Sequence, residues 1–256
     1  MTFNDRQQAI VNMLDQHGSL DVLTLSEHFQ VTSQTIRRDL NILCNAGAAR
    51  RVYGGVAKLV LSRNQAYSLR QFQKSEEKQR IAQEVARHIP NGSSIALSIG
   101  TTPEMVARAL QQHKNLRIFT NNLNVAVLAC EQSDFEITVA GGRLRNDGSD
   151  VLGAGVETFF ASYKVDFGIF GVAGVDEEGY LLDFHEDEVA ARQVIQKNCR
   201  QSFLVLDHSK FFRNAHVRGG LLNSVDKVFC DCEPPPEILE HLAESNTQLI
   251  ICRSGR

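Results

Sequence analysis

The sequence predicts an α/β chain in two parts: an N-terminal winged helix-turn-helix, then a larger part built on a parallel sheet. Three observations support this. Three short helical patterns precede a glycine hairpin, strand-like and helix-like segments alternate from residue 93 onward, and loops of glycine and small polar residues follow those strands. We expect a DNA-binding domain at 1–58, a polar linker at 59–75 and an α/β domain at 76–256.

Three helical patterns occupy the first domain. The first covers residues 6–17 and the second covers 22–29, where Thr24 and Glu27 fit a capping box. The third covers 33–46 after a brief turn, with apolar residues three or four positions apart on one face and Gly47 as the expected stop. Two short helices, a tight turn and a third helix are typical of a helix-turn-helix.

The other face of the third helix is polar and cationic. A recognition helix enters the major groove with its N-terminal residues first, and arginine can bind guanine or phosphate with two hydrogen bonds. Two arginines alone are more often an ordinary solvated face, but the helix spacing and the hairpin that follows favour the DNA interface. The residues expected at DNA on this helix are Ser33, Gln34, Thr35, Arg37 and Arg38.

The stretch Arg50-Arg51-Val52-Tyr53-Gly54-Gly55-Val56 predicts a β-hairpin, since alternating residues precede a glycine turn. Such a hairpin forms the wing beside a helix-turn-helix. We expect Arg50 and Arg51 to contact the DNA backbone.

Composition and charge agree with this division. Hydrophobic residues make up 43% and charged residues 22%, as in a globular protein that buries a core. Residues 1–80 hold eleven Lys and Arg against seven Asp and Glu, whereas the remainder holds sixteen against twenty-three. A basic head suits a polyanionic partner, and the acidic body argues against a purely structural DNA-packaging protein. Because no secretory leader or long apolar run is seen, we expect a cytoplasmic protein without a membrane partner.

The second domain is predicted to be a parallel βαβ array preceded by a helix at 74–88. Ligand sites in such sheets lie at the carboxyl ends of the strands, where glycine loops and helix N-termini suit a phosphate. Expected strands cover 94–99, 116–120, 135–140, 165–172, 203–206 and 225–230, and expected helices cover 103–112 and 123–130. The loop residues expected to bind a small anionic ligand are Ser98, Gly100, Thr101, Thr102, Thr120, Asn121, Gly141, Gly142, Gly171, Asp176 and Lys210.

Two runs in the first domain resemble the signature of the DeoR family of bacterial regulators: Thr-Ser-Gln-Thr-Ile-Arg-Arg-Asp-Leu-Asn (32–41) and Arg-Val-Tyr-Gly-Gly-Val (51–56). The resemblance covers nearly the whole chain. It implies operator DNA as a partner, a C-terminal sensor domain similar in fold to ribose-5-phosphate isomerases, and Glu188 as a further effector-binding residue. Similar stretches in the second domain are Ile-Gly-Thr-Thr (99–102), Thr-Asn-Asn (120–122), Ala-Gly-Gly (140–142), Gly-Val-Ala-Gly-Val-Asp (171–176), the acidic segment at Glu188 and Asp-His-Ser-Lys-Phe (207–211).

Within that family, the stretches at 89–94, 99–104, 115–118, 120–126, 165–169 and 207–215 most resemble members that respond to glycerol 3-phosphate. The resemblance therefore implies a repressor of a carbon-catabolic operon that is released by this metabolite. Two departures keep other sugar phosphates open. Ser98 stands where the family commonly has an acidic residue, and His185 stands where those members usually carry Asp after Phe.

An isomerase or deaminase is the alternative class, with Glu188, Asp183 or Asp176 as general base and Lys210 stabilising the developing negative charge. Turnover of sugar phosphates would distinguish it from a sensor.

We expect no cofactor and no metal. Cys230 and Cys232 lack a second pair, and in the run 185–188 at most the first and last residues can converge on a helix. A palindromic operator calls for a homo-oligomer, with dimer and tetramer both open.

Overall fold

The computed structural model describes residues 3–46, 48–52, 54–58, 67–145, 148–243 and 245–253. Gly47, Tyr53 and residues 59–66 of the expected linker lie outside the described residues. The chain divides into two compact units, Met1–Gln73 and Lys74–Arg256. Nine residues of the expected linker are described, and six of them form a helix, α4, at Tyr67–Phe72.

The first unit is a winged helix-turn-helix, as the sequence predicts. Its three strands form an antiparallel sheet in the order β1-β3-β2. The buried apolar faces of its first three helices pack with this sheet into one small core. The elements are α1 (Asp5–His17), β1 (Ser19–Asp21), α2 (Val22–Phe29), α3 (Ser33–Asn45), β2 (Ala49–Val52) and β3 (Gly55–Lys58).

The predicted cap of α2 is wrong. The helix begins at Val22, so the capping position falls on Asp21 and not on Thr24. The Asp21 carboxylate accepts the backbone N–H of Thr24 at 2.8 Å and its hydroxyl at 2.7 Å. A side chain caps a helix from the residue before the first helical one, and Thr24 lies inside the first turn as the donor.

Two features fix the geometry of the first unit. Asp39 of α3 is buried and accepts bonds from Arg6 at 2.7 Å and from Gln7 at 2.8 Å, both on α1. Gly55 begins β3 where a side chain cannot fit, because a Cβ there would lie 2.2 Å from the carbonyl oxygen of Leu20 on β1. The first contact orients α3, and the second lets the wing strands meet β1 closely.

The second unit contains a seven-stranded parallel sheet in the order β15-β14-β12-β9-β4-β5-β6. Its elements are α5 (Ser75–Arg87), β4 (Ser94–Leu97), α6 (Thr101–Ala109), β5 (Arg117–Thr120), α7 (Leu123–Ala129), β6 (Glu136–Val139), β7 (Arg143–Arg145), β8 (Asp150–Leu152), α8 (Ala154–Ala161), β9 (Val165–Phe170), β10 (Gly174–Val175), β11 (Tyr180–Asp183), α9 (Glu186–Lys197), β12 (Cys199–Leu206), β13 (Val217–Leu221), β14 (Lys227–Cys230), α10 (Pro236–Ala243) and β15 (Gln248–Ile251), with 3-10 turns at Leu110–Gln112, His208–Lys210 and Leu222–Ser224.

Two apolar cores cover the faces of this sheet. Residues of α5, α6 and α7 pack in one of them, and residues of α8, α9 and α10 pack in the other. The chain builds β4, β5 and β6 toward one edge and then returns to place β9 against β4. This reversal is the switch point at which open parallel sheets bind ligands.

Smaller additions flank the main sheet. β7 and β8 form an antiparallel hairpin, and β10, β11 and β13 form a second, antiparallel sheet. The sequence patterns predicted neither. Within the described residues, no helix is long and apolar enough to cross a membrane.

Candidate DNA interface and candidate ligand site

The outer face of α3 presents the residues that the sequence assigns to DNA. Gln34, Arg37 and Arg38 are exposed, while Ser33 and Thr35 are half-buried. The opposite face buries Ile36, Leu40 and Leu43 completely in the core of the first unit. The helix therefore offers a cationic surface on a rigidly packed support, as a recognition helix requires.

The first turn of α3 is held by its cap. The Thr32 hydroxyl accepts the backbone N–H of Thr35 at 3.3 Å, and the two threonine hydroxyls lie 3.0 Å apart. This end of the helix carries no acidic residue in its first turn. The positive end of the helix dipole and the two arginines would therefore both attract a phosphate group.

The wing places Arg50 and Arg51 on β2, opposite Ala57 and Val56 of β3. Both arginine side chains are exposed. An exposed guanidinium on a strand beside the recognition helix has the reach and charge to contact the DNA backbone.

In the second unit, the loops after β4 and β9 lie against each other at the switch point. Gly100 and Gly171 both lie close to Pro103. A Cβ added at Gly100 would be 3.3 Å from the Cδ of Pro103, and one added at Gly171 would be 3.7 Å from it. Gly100 has φ of +119° and precedes α6, whose first residues are Thr101 and Thr102. Both threonines are buried inside the first turn. The expected helix started at Pro103, so the structure moves these hydroxyls from a loop into the helix itself.

The two residues that flank these loops are also placed. Ser98 is buried beside β9, where its N–H donates to the carbonyl oxygen of Ile169 at 3.0 Å. Thr120 is fully buried, and its hydroxyl donates to the Leu97 carbonyl oxygen at 2.7 Å and accepts the Asn122 N–H at 3.0 Å. Thr120 thereby ties β5 to β4, which is a positioning role within the sheet.

Asn121 and Asn122 end β5 in a buried polar turn. Asn121 donates to the Val151 carbonyl oxygen at 2.8 Å, and Asn122 caps α7 by accepting the N–H groups of Asn124 and Val125. Among the described residues, Asn121 Oδ1 and Asn122 Nδ2 are two buried side-chain atoms without a hydrogen-bond partner. Buried amide groups of this kind are satisfied by a ligand or by water.

A buried ion network adjoins that turn and was missed from the sequence. Arg145 of β7 donates to both carboxylate oxygens of Asp150, at 2.9 and 2.6 Å, and to Glu188 of α9 at 2.6 Å. Glu188 also accepts the N–H of Phe184 at 3.3 Å. These bonds join the β7–β8 hairpin to α9, and they occupy the carboxylate that the sequence assigns to the effector.

Asp183 and Arg192 form a second buried pair. Arg192 donates to Asp183 at 3.0 and 3.2 Å and to the Gly219 carbonyl oxygen at 2.7 Å. Burial raises the pKa of Asp183 to about 6, opposed by the charge of Arg192 and reinforced by the negative charge of Glu188. This carboxylate also accepts the N–H of Ala173, so it joins the loop after β9 to β11 and α9.

The loop after β12 holds Lys210 in a 3-10 turn capped by Asp207. Asp207 is buried and accepts the hydroxyl and the N–H of Ser209. Burial alone would raise its pKa, but Lys210, Lys78 and the bonds from Ser209 lower it below the ordinary value. Lys78, a buried residue of α5, therefore adds a second cation at this edge that the sequence patterns did not indicate.

The remaining predicted residues lie in other settings. Gly141 and Gly142 follow the edge strand β6. Gly142 has a φ of +146°, and a Cβ added there would lie 2.9 Å from the side chain of Val151. Asp176 accepts N–H groups in the turn between β10 and β11, and it pairs with Arg218 at 3.3 Å. Within the described residues, these hydrogen bonds and this ion pair direct the Asp176 carboxylate to its own turn and to β13.

Full-length relatives agree with this architecture. The chain is 43% identical over 252 residues to the glycerol-3-phosphate regulon repressor of Escherichia coli (strain K12), covering 98% of this chain and 100% of that protein. It is 44% identical over 247 residues to the repressor of the same name from Haemophilus influenzae, with 96% of each chain covered.

Among solved structures, ribose 5-phosphate isomerase A from Methanocaldococcus jannaschii matches with a TM-score of 0.40 and 16% identity, covering 54% of this chain and 55% of that one. A likeness this low carries no argument about activity. Two family descriptions match directly: a DeoR-like helix-turn-helix domain at residues 6–59 and a DeoR C terminal sensor domain at residues 73–232. The chain therefore belongs to the DeoR family and combines that family's DNA-binding and sensor domains.

Proposed function

We propose that this protein is a transcriptional repressor of a glycerol-3-phosphate catabolic operon, bound to operator DNA through residues 1–58 and released by glycerol 3-phosphate. The observation that carries the proposal is identity of 43–44%, over nearly the whole length, to two repressors of that name. Two features of the described structure support the proposal: the cationic face of α3 and the polar loops at the carboxyl ends of the parallel strands. A bacterial regulator of this kind works beside the chromosome, in the cytoplasm.

We assign the ligand to the loops at the carboxyl ends of the parallel strands, within residues 76–256. Residues 59–75 link this domain to the DNA-binding domain. We propose that the phosphate binds between the loop of Gly100, Thr101 and Thr102 at the start of α6 and the ammonium group of Lys210, which lies in the 3-10 turn after β12. A helix N-terminus and a lysine are the groups that bind a phosphate dianion well. The unpartnered amide atoms of Asn121 and Asn122 are suited to the hydroxyl groups of the same molecule.

The geometry disfavours the enzyme alternative. Each carboxylate considered as a base is engaged by the protein itself: Glu188 with Arg145, Asp183 with Arg192 and Asp176 with its own turn. A general base must be free to take a proton from the substrate. The protein is accordingly assigned as a sensor, with its ligand acting on DNA affinity.

We further propose that the repressor acts as a symmetric homo-oligomer. One winged helix contacts a single half-site, and two-fold operators match two-fold proteins. Sedimentation of the protein with and without operator DNA measures this directly, and a monomer on DNA would contradict it.

The effector assignment is tested by a thermal-shift panel on the purified protein. Glycerol 3-phosphate is expected to raise the melting temperature, because a ligand stabilises the state that it binds in proportion to ln(1 + [L]/Kd). Glycerol and inorganic phosphate serve as controls for the two halves of the molecule. Because Ser98 departs from the family pattern, hexose phosphates complete the panel. A shift from a hexose phosphate and none from glycerol 3-phosphate would overturn the effector while keeping the repressor.

A further inference from the structure

Three side chains of different chemistry meet where β12 and β14 end. His208 follows β12, and Asp231 and Cys232 follow β14, its parallel neighbour, with Leu206 opposite Cys230 in the register. One donor atom from each of the three lies within 4.8 Å of the others. Sequence spacing left Cys232 without metal-ligand partners, because the sheet and not the local chain brings His208 to it.

We propose that His208, Asp231 and Cys232 bind a zinc ion. An imidazole, a carboxylate and a thiolate are the three side-chain donors that zinc takes, and three protein ligands with a water molecule make a tetrahedral site. The thiolate selects zinc over magnesium and calcium, which prefer oxygen ligands.

The trio is already held in place by other contacts. Asp231 is buried and accepts the His208 backbone N–H at 2.7 Å through Oδ1 and lies 2.6 Å from the His208 ring through Oδ2. Cys230 donates to the same carboxylate at 3.6 Å. The carboxylate is therefore fixed before an ion arrives, which lowers the cost of ordering the site.

Access and charge are suited to an ion from solution. Cys232 is exposed and the His208 side chain is 39% exposed, so the cluster opens to solvent. Burial raises the pKa of the Cys232 thiol, and the carboxylates of Asp231, Asp207 and Glu77 raise it further. The same negative charges attract a cation to the cluster. The ion would displace two protons to solvent, the one shared by the His208 ring and Asp231 and the one on the Cys232 thiol. The nitrogen and oxygen ligands would then lie about 2.0 Å from zinc and roughly 3.3 Å apart, with the sulfur about 2.3 Å from zinc.

The ion would also stiffen the proposed effector loop. His208 and Lys210 share one 3-10 turn, so a metal bound through His208 fixes the backbone that presents Lys210. This consequence rests on the proposed function, whereas binding of the metal itself does not. We expect zinc to change the affinity for glycerol 3-phosphate several-fold, in the direction of tighter binding.

The test uses the reduced, full-length protein after treatment with a chelator and removal of that chelator. Cobalt(II) is titrated in as the spectroscopic probe, and zinc is then added to displace it. We expect one equivalent of cobalt to produce the thiolate-to-metal charge-transfer absorption, and zinc to abolish it. Cys232→Ser should lose this absorption and weaken zinc binding by at least about tenfold.

Cys130→Ser is the matched control, since Cys130 is also exposed but lies outside the cluster. It should behave as the wild type does. Asp231→Asn tests the carboxylate, and circular dichroism verifies that each variant is folded. Absence of the charge-transfer absorption in the wild type, or zinc affinity unchanged in Cys232→Ser, overturns the site. Because no DNA or effector is present, either result leaves the proposed repressor function standing.

Discussion

The guanidinium of Arg145 binds the carboxylate of Glu188 at 2.6 Å, which joins the β7–β8 hairpin to the first turn of α9. The same guanidinium holds the Asp150 carboxylate with two bonds, and the backbone of Asp150 forms an isolated antiparallel β-bridge with Asn122 in the turn after β5. The turn that contains the unpartnered amide atoms is therefore tied to α9 through one arginine.

Replacing Arg145 should destabilise the sensor domain. In Arg145→Met, the buried carboxylates of Glu188 and Asp150 lose the one cationic side chain that pairs with them among the described residues. Leaving a buried charge unpaired costs on the order of 3–5 kcal/mol. We expect a loss of about 3 kcal/mol in the free energy of unfolding, measured by urea denaturation.

Arg143→Met is the control for that prediction, because Arg143 is exposed on the same strand. It should change the free energy of unfolding by less than about 0.5 kcal/mol. Equal losses in the two variants would show that the ion network does not stabilise the fold.

The arginines of α3 should carry DNA affinity. Arg37→Ala and Arg38→Ala are each expected to weaken specific binding by about 1–3 kcal/mol, because each removes an exposed guanidinium from the recognition helix. Fluorescence anisotropy at several salt concentrations measures this. A residue that contacts phosphate should also lower the dependence of log K on log [salt] by about one.

Arg87→Ala removes another exposed cation, one that pairs with Glu84 on α5 of the sensor domain. It should bind operator DNA as the wild type does. If the double variant of Arg37 and Arg38 retains full affinity, α3 is not the recognition helix.

Lys210 should be required for release by ligand. Lys210→Gln keeps a polar side chain but loses the positive charge that faces the proposed phosphate. In the wild type, the same charge lowers the pKa of Asp207. A ligand shifts DNA affinity only through its different affinity for the two states, so lost phosphate binding removes the shift. We expect operator binding to persist and release by glycerol 3-phosphate to need at least about tenfold more ligand, a loss of about 1.4 kcal/mol.

Lys114→Gln provides the comparison, as an exposed lysine away from the sheet edge. Release at wild-type ligand concentrations in both variants would remove Lys210 from the site.

The buried carboxyl of Asp183 should make stability depend on pH. Its folded pKa of about 6 lies above the value of about 3.9 in unfolded chains. Between these values the folded protein holds a proton that the unfolded chain releases. The contribution of Asp183 protonation to the free energy of unfolding is therefore complete below pH 4 and is lost as the pH rises through 6.

Urea denaturation of the wild type and of Asp183→Asn isolates this effect. The wild-type free energy of unfolding minus that of the variant should fall by up to about 3 kcal/mol between pH 4 and pH 7. If Arg192 instead dominated, the difference would rise with pH below 4 and stay constant above it.

The helix-turn-helix and the parallel sheet could be predicted because their signals are local. The apolar periodicity of α3 and the buried runs of β4, β5 and β9 depend on neighbouring residues only, and the structure confirms each of them within a few residues. The exposed cationic face of α3 followed from the same periodicity, since burying Ile36 and Leu40 exposes Arg37 and Arg38 on the other side.

The polar network could not be predicted in this way. Arg145 and Glu188 are 43 residues apart, and His208 and Asp231 are 23 apart, so only the folded sheet brings them together. The small antiparallel sheet was missed for a related reason. Its strand β10 has only two residues and is defined by pairing with β11, with no apolar pattern of its own.

Release of DNA by ligand tests the central claim most directly. The operator DNA is first isolated as the genomic fragment that the protein binds, and it is then labelled with a fluorophore. This DNA is saturated with the wild-type protein, and glycerol 3-phosphate is titrated in while the fluorescence anisotropy is recorded. The account predicts that anisotropy falls to the value of free DNA with glycerol 3-phosphate and stays constant with glycerol or inorganic phosphate. Anisotropy that stays constant with glycerol 3-phosphate, while the thermal shift shows this ligand bound, would contradict a repressor released by that metabolite.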